Sequence, residues 1–575
     1  MEFDDELYNK IKFIILKNSL DYEKARIETV LSKLISSNPN LRTDIKRIIP
    51  YLNKEIDKIN SLRKEDKIEL LKKMDQNYGV SKDKKNIKDG FTLPPLINAE
   101  NGHVVTRFPP EPNGYPHIGH AKAAIIDEEY ARHYNGKFIL RFDDTNPLNE
   151  QSEYYDVILE DLNWLKIKPD IIKNTSDDIT LLHKYGQELI KNNSGYICTC
   201  KPETIHKLRS SGIECECRLN STNSLEKMDK FFNGYFHKNE AIVRFKGDMK
   251  NDNTAIRDPT LFRIIDTEHP RLGRKNVIWP TYDFAAPIED SLDGVTHALR
   301  TKEYELRNQL YREILTALNL RIPEVLEFSR LEFEGMPVSK RKIKPLIVNK
   351  QIHSWDDPRL PTLKAFKKRG FTPEAIRKFV LSLGLTLSET KPSIEVLESF
   401  NRKIIDREAI RLFFVRDPWE ITLENSTIKE ILLQNHPSLE MGRRIIVVKD
   451  SVYISSVDAK NLTKGSEIRL IEFSNIIINE IDREKKELKC KITNNIINKD
   501  IPKIQWVSTE NSVPYKIVKP HMLFINDDFN PNSLEIITGY AESFVSTLLT
   551  DTMVQFIREG FCRIENNNTS IFAHK

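Results

Sequence analysis

Residues 104–124 read VVTRFPPEPNGYPHIGHAKAA. The first five residues are β-branched or aromatic around one arginine, the text of a short buried strand. The Pro- and Gly-rich run that follows suits neither a strand nor a helix interior, so it is a loop. HAKAAIIDEEYARHY then has helical spacing, GKFILRFDD is a second strand and EYYDVILEDLNWL a second helix. Strand, loop, helix, strand with a Gly/Pro-rich first crossover predicts a Rossmann-type doubly wound sheet that binds a nucleotide.

Working outward, residues 1 to about 75 repeat apolar positions at helical spacing (Tyr8, Ile11, Ile15; Leu31, Leu34, Ile35). Residues 76–103 turn to Gly, Pro, Lys and Asn and read as a linker. C-terminal to the first α/β stretch, an insertion carries four of the six cysteines. The α/β text returns with YDFAAPIEDSLDGVTHALR and EYELRNQLYREILTAL. Short alternating runs such as RRIIVVKDSVYIS, SEIRLIEF and PYKIVK mark a β-rich end. The expected plan is multidomain α/β plus all-β. It comprises a helical extension and linker (1–95), the first Rossmann half (96–180), an insertion (181–278), the second half (279–344), a helical connecting domain (345–430) and C-terminal β-barrels (431–575).

Length supports this division, since 575 residues exceed one core and suggest roughly three to five domains. Hydrophobic residues are 39% and charged residues 30%, with a mean hydropathy of -0.48, which is globular rather than disordered. No run approaches the ~18–20 apolar residues of a membrane span. The opening MEFDDELYNKIKFIILKNSL starts with acids, unlike a secretory signal, so a cytoplasmic protein is expected; a monomer is expected as well. Lys+Arg 88 against Asp+Glu 84 says nothing about partners, because an RNA-binding enzyme can confine its positive field to one face.

The chemistry sits in two motifs. In the first, a helix N-terminus offers free amides to phosphate, and Gly119 lets a base or sugar lie against the backbone. His117 and His120 can donate to phosphate oxygens as charge develops. They can also be read as helix caps or metal ligands. The second is Met336-Pro337-Val338-Ser339-Lys340-Arg341-Lys342, a basic run after VLEFSRLEF. It is either a solvated loop or a mobile one whose Lys340 closes on a triphosphate.

Together the two resemble the HIGH and KMSKS signatures of class I aminoacyl-tRNA synthetases. RFDDTNP, RDPTLFR, PTYDFAAPIEDSLDGVTHALRTKEYE and SWDDPRLPTLKAFKKRG resemble the glutamyl/glutaminyl branch in its archaeal and eukaryotic form. The resemblance covers about residues 93–575. It implies ATP with Mg²⁺, a tRNA partner and ester formation at the tRNA 3′ end. It places Pro109, Glu111, His117, Gly119, His120, Arg330, Leu331, Ser339 and Lys340 at the ATP, with His117, His120 and Lys340 catalytic. One departure is Pro337-Val338, where the family usually has other residues before its Ser-Lys pair.

For the amino acid, the resemblance assigns Asp143 to the α-ammonium, Tyr282 to the side chain and Arg107 to the side-chain end or carboxylate. Arg300 decides the substrate: glutaminyl members carry a small neutral residue there and glutamyl members an arginine. A guanidinium pairs with a γ-carboxylate and is left with unpaired donors by an amide. L-Glutamate and tRNA(Glu) are therefore expected, with tRNA(Gln) an open second acceptor. The alternative for Arg300 is an internal ion pair with Asp290 or Glu303. A glutaminyl enzyme and a catalytically lapsed RNA-binding paralogue are the rival readings. Arg300 weighs against the first, and His117, His120, Asp143 and Lys340 against the second.

Cys198, Cys200, Cys215 and Cys217 form C-x-C-x14-C-x-C. Four thiolates suit structural Zn²⁺, stapling an insertion with little core of its own. Free thiols or disulfides remain alternatives, and His206 is a weaker ligand. In the β-rich end, Arg443, Arg444, Lys449, Lys464, Trp506 and Tyr515 are either RNA contacts or solvated faces and barrel core.

Overall fold

The computed structural model describes residues 93–575 apart from 390, 425–428 and 498–499. Of the first 92 it describes residues 5–21, 25, 27, 30, 31, 34, 45–63, 66, 67, 70, 71 and 74. The chain divides into two compact units, residues 1–91 and 92–575. In the first, helices Asp5–Asp21 and Ile45–Asn60 join Ile11, Ile15 and Leu16 to Ile48, Leu52, Ile56 and Ile59 in one core. The intervals of three and four residues put each set on one helix face.

The expected linker, 76–103, lies outside the described residues as far as 92. From 93 onward it is not a free tether. Leu93 and Leu96 are buried, Tyr130 Oη donates to Pro94 O (2.8 Å), and Leu96 N–H donates to Tyr134 Oη (3.0 Å). Pro and Asn give the segment its loop signature, but its two leucines anchor it.

The first sheet is parallel. Strands β1 (Val105–Phe108), β2 (Lys137–Phe142) and β3 (Ile171–Asn174) lie in that order. After an insertion with strands β4 (Gly195–Cys198), β5 (Ile242–Phe245), β6 (Thr260–Ile264) and β7 (Ile278–Pro280), β8 (His297–Thr301) pairs in parallel with β9 (Glu324–Phe328). β8 adjoins β1, where Thr296 N–H donates to Val105 O (2.9 Å). The order is thus β9-β8-β1-β2-β3, the doubly wound arrangement whose ligand crevice opens where strand order reverses. Residues 138–142 are buried on both faces, which explains their continuous apolar text. Helix Ile118–His133 ends in a tight return at Asn135 (φ 51°) and Gly136. A Cβ on Gly136 would stand 1.9 Å from Val104 O, so only glycine brings β2 against β1 here.

The insertion folds as an antiparallel sheet of β4 (Gly195–Cys198), β5 (Ile242–Phe245), β6 (Thr260–Ile264) and β7 (Ile278–Pro280). The expectation of little core was wrong. Phe231, Val243, Phe262 and Trp279 pack with Phe284, Ile288 and Ile314 in one buried cluster, so the insertion shares the core of helices Tyr282–Leu292 and Asn308–Ala317.

β-structure resumes at Ile410 rather than at 431, inside the stretch expected to be helical. IRLFFVRDPWEITLE alternates like a strand, and Asp417 (φ 45°) turns the chain from one sheet into the next. Two seven-stranded barrel-like sheets follow. Ile410–Leu412 and Phe414–Arg416 belong to the second of them, which resumes at Ser512 once the first is complete. A separate two-stranded hairpin, Phe524–Ile525 with Asp528–Phe529, lies in the chain between two strands of this second sheet and reaches helix Lys340–Val348. Leu523 shares a core with Ile343 and Leu346, Phe524 N–H donates to Gly335 O (3.0 Å), and Lys342 pairs with Asp527 (2.6 Å).

Three residues considered for RNA are interior. Trp506 is fully buried and donates to Ile471 O, Tyr515 is core, and Arg444 pairs with Glu542 inside the barrel junction. Their aromatic or basic character serves packing and ion pairing. Arg443, Lys449 and Lys464 stay exposed. Among the described residues no helix is long and apolar enough to cross a membrane.

A buried ion cluster ties strands β1 and β2 of the parallel sheet to helix Tyr282–Leu292. Asp290 Oδ1 lies 2.9 Å from both Arg107 Nε on β1 and Arg141 Nη2 on β2, and Tyr311 donates to its other oxygen (2.9 Å). Burial alone would raise the Asp290 carboxyl, but the two guanidiniums pull it down to about 2. Asp290→Ala leaves both cations uncompensated and is expected to cost about 3–5 kcal/mol, measured as earlier denaturant unfolding of the catalytic region. Because the carboxyl sits below its ordinary 3.8, this stabilisation is present above that pH and fades as pH falls toward 2.

Candidate active site

The loop after β1 and the start of helix Ile118–His133 form one wall of a cavity of about 540 Å³. His117 is the helix N-cap: its Nδ1 accepts from Gly119 N–H (3.1 Å), while His120 Nδ1 accepts from His117 N–H (3.2 Å). The two rings lie 3.9 Å apart. The capping reading of these histidines is therefore correct, and it is compatible with a site. With both Nδ1 atoms accepting, each neutral ring carries its proton on Nε2, which is left as a donor. Burial, reinforced by Lys340 and Arg330, lowers His120 to about 4 and lowers His117 as well. Gly119 lies at a close approach, since a Cβ would stand 3.0 Å from the His117 ring and 3.3 Å from Leu331 O, and a side chain there would push both back by a few tenths of an ångström.

Pro109, Glu111, His117, Gly119, His120, Arg330 and Leu331 all line the cavity. Ser339 and Lys340 do not. Lys340 is the first residue of its helix rather than part of an open loop. Its Nζ donates to Asn113 O (2.7 Å) and also binds Asn113 Oδ1, and burial lowers its pKa. The amine thus bridges the two motifs while lying over Gly114, where a Cβ would meet Lys340 Cε at 2.5 Å. Met336 and Val338 are buried on either side of Pro337, so the departing dipeptide is a core anchor of the turn.

The opposite wall holds Arg107, Asp143, Tyr282 and Arg300. Arg107 is committed to Asp290 and to Leu299 O (2.9 Å), which leaves it little to offer a ligand. Asp143 Oδ1 accepts from Arg141 (3.1 Å) and Thr175 (3.2 Å), while its buried Oδ2 has no partner; burial raises its pKa. Arg300 is 5% exposed. It donates to Asn308 Oδ1 (3.1 Å) and Tyr282 Oη (3.3 Å), and its Nε has no partner. The rings of Tyr282, Tyr304 and Tyr311 surround it at 5.6, 5.0 and 5.3 Å. The two acids that could have neutralised it are engaged elsewhere, Asp290 with Arg107 and Arg141, and Glu303 with Arg330 (2.9 Å). Arg300 forms no ion pair among the described residues, and its buried charge lacks the partner such groups require.

The four cysteines cluster across the insertion, Cys198 with Cys215 (3.9 Å) and Cys200 with Cys217 (3.7 Å). Cys198, Cys200 and Cys215 offer sulfurs within 4.8 Å of one another. None is in a disulfide. The Cys198 S–H bond draws Cys215 down to about 4, with Tyr196 and Arg244 alongside. His206 is exposed and outside this group.

Residues 103–407 match the family model for tRNA synthetases class I (E and Q), catalytic domain, and 409–493 and 503–565 match the anti-codon binding domain models of the same family. The chain belongs to the class I tRNA synthetases of the E and Q branch. It is 43% identical to a glutamate–tRNA ligase of Nitrosopumilus maritimus over 100% of both chains. It is 44% identical to that of Cenarchaeum symbiosum over 99% of this chain and 100% of the relative. With the Pyrococcus furiosus ligase it shares 36% over 98% and 99%.

Several residues of this synthetase's cavity were not singled out from sequence. Asn146 and Arg263 line it with unpartnered Oδ1 and Nε. Both sit inside quoted blocks, RFDDTNP and RDPTLFR, so the signal was present but not resolved to a residue. Arg263 comes from β6 and brings the insertion to the cavity. Asn113, which holds Lys340, gave no signal beyond its place in the loop. Imidazole NMR on selectively labelled protein should find His120 titrating near 4, so neutral above that pH, with Nδ1 unprotonated. Titration near the ordinary 6.5 would overturn the lowering by burial, and a protonated Nδ1 in the neutral ring would overturn the capping tautomer.

Proposed function

We infer that this synthetase activates L-glutamate with ATP and transfers the glutamyl group to the 3′ end of tRNA(Glu). The observation that carries the choice of glutamate is Arg300, a buried guanidinium with an unused Nε and no carboxylate partner, facing the cavity. A γ-carboxylate supplies what that site lacks. A glutamine amide would leave guanidinium donors unpaired, a mismatch worth ~10⁴-fold in discrimination. The relatives named above, glutamate–tRNA ligases of matching length, support the same reading.

In the first step the α-carboxylate of glutamate attacks the α-phosphorus of ATP, which arrives with Mg²⁺, and pyrophosphate leaves. A terminal tRNA hydroxyl then attacks the mixed anhydride and AMP leaves. Both nucleophiles come with the substrates, so the protein contributes placement and charge. The unpartnered Asp143 oxygen receives the α-ammonium, and Tyr282 lies along the side chain. Arg107 acts chiefly by holding Leu299, next to Arg300. His117 and His120 donate through Nε2 to phosphate, with Pro109, Glu111 and Gly119 shaping the wall. Arg330 and Leu331 flank the adenine. Ser339 starts the helix from which Lys340, once released from Asn113, reaches the leaving pyrophosphate. The same reading makes the enzyme a cytoplasmic monomer that meets tRNA through its insertion and its barrels.

The sulfur cluster fits structural zinc. Tetrahedral ligation at ~2.3 Å separates sulfurs by about 3.8 Å, close to the 3.9 Å of Cys198–Cys215 and the 3.7 Å of Cys200–Cys217, although Cys217 stands outside the three sulfurs that lie mutually within 4.8 Å and would have to move inward. Cys198, Cys200, Cys215 and Cys217 would hold the ion, which would staple Gly195–Cys198 to the turn Glu216–Leu219. Arg244, donating toward the sulfurs of Cys198 and Cys215, suits an anionic thiolate set.

Charging purified tRNA isoacceptors, tRNA(Gln) included, with labelled glutamate or glutamine tests the assignment. Glutamate should be esterified to tRNA(Glu), and Arg300→Cys should lower kcat/KM for glutamate by ~100-fold or more; unchanged glutamate kinetics would refute it. Elemental analysis of protein purified without chelator should find about one zinc per chain, and chelation should lower the melting temperature. Metal-free protein of equal stability would exclude the zinc.

A further inference from the structure

Lys122 lies in helix Ile118–His133, one turn beyond Gly119, and is only 1% exposed. It is not part of the cavity lining. Its Nζ donates to Ser329 O (2.5 Å) and contacts Ser329 Oγ (3.1 Å), 5.3 Å from the Phe328 ring centre. It forms no ion pair among the described residues. A buried ammonium held by one carbonyl and one hydroxyl is costly, and a methionine would fill the same space without that penalty.

What the amine holds is specific. β9 ends at Phe328, and the next three residues, Ser329-Arg330-Leu331, carry the chain along the cavity; Phe328, Arg330 and Leu331 line it. Ser329 is secured on both sides of its α-carbon. Its N–H donates to Thr386 O (2.7 Å) and its carbonyl accepts from Lys122. Two residues on, the Leu331 carbonyl approaches Gly119 so closely that a Cβ there would stand 3.3 Å away. Helix Ile118–His133 therefore meets this segment twice on adjacent turns, through the bare backbone of Gly119 and through Lys122.

We propose that Lys122 is a positioning residue for the nucleotide. Its ammonium fixes the Ser329 carbonyl, and so sets Arg330 and Leu331 at the spacing from Gly119 that receives the adenosine. The charge-assisted bond makes the segment a rigid wall before ATP arrives, so its loss appears in nucleotide binding and not in glutamate binding. This rests on the assignment of Arg330 and Leu331 to ATP made above.

The test is pyrophosphate exchange in the presence of tRNA, with KM measured separately for ATP and glutamate. Lys122→Met keeps the length and removes the donor. It should raise KM for ATP by about 10-fold, as for a lost hydrogen bond from a charged group, while KM for glutamate stays within about two-fold. Lys122→Gln keeps a donor without the charge or full reach, and its KM for ATP should fall between wild type and Lys122→Met. It also carries the test if the methionine variant fails to fold. A shift in melting temperature with ATP, smaller in the variant than in wild type at equal ATP, gives a readout independent of turnover. Unchanged KM for ATP, or equal rises for both substrates, would overturn the role of Lys122. A rise confined to glutamate would instead overturn the assignment of this wall to the nucleotide.

Discussion

One carboxylate, that of Asp290, sits between two guanidiniums that have no access to water, and the catalytic half of the molecule is arranged around it. Arg107 rises from β1, Arg141 from β2, and Asp290 faces both from the helix that precedes β8. Breaking such a set strands buried charge, so the strands and the helix keep one mutual position. Glu289 and Asp293 extend the network to Lys173 on β3. The network also determines which groups are left over. Asp143 spends one oxygen on Arg141 and keeps the other free, and Arg300 is denied Asp290, which Arg107 and Arg141 hold. Asp143, Asn146, Arg263 and Arg300 thus bring buried polar atoms without a partner to the cavity.

The histidine motif has a similar economy. Each ring uses one nitrogen to close the helix start and presents the other to the cavity. Capping fixes the tautomer, and burial among cations keeps the rings neutral, so donation at Nε2 is built into the fold rather than dependent on pH. Lys340 is linked to the same loop through Asn113. On its other side, the helix it begins is packed against the hairpin Phe524–Phe529, inserted between two strands of the second barrel-like sheet. The region that matches anti-codon binding models and the catalytic motif therefore share a hydrophobic core.

Much of this was legible in the chain itself. The strand–loop–helix–strand order came from local periodicity, which depends on neighbours a few residues apart and needs no tertiary knowledge. Buried strands such as 138–142 announce themselves as apolar runs. Less legible were segments whose local text misleads. The Pro/Asn-rich stretch after 93 has loop composition but two anchoring leucines, and the sequence from Ile410 alternates although helices precede it. Trp506 and Tyr515 could be surface or core on composition alone, and the barrels buried them.

By itself the sequence determined the class of chemistry, through two motifs whose residue types suit phosphate at a helix start. It also supplied, in the arginine at 300, the residue on which the proposed choice of glutamate rests. Only the tertiary structure decided what that arginine is paired with. Asp290 and Glu303 are near it in sequence, and nothing local tells whether they neutralise it. The answer came from Arg107, Arg141 and Arg330, which claim those two acids from other strands and loops. Charge pairing in a buried site is a competition among all groups the fold brings together, and that competition has no signature in any single stretch of sequence.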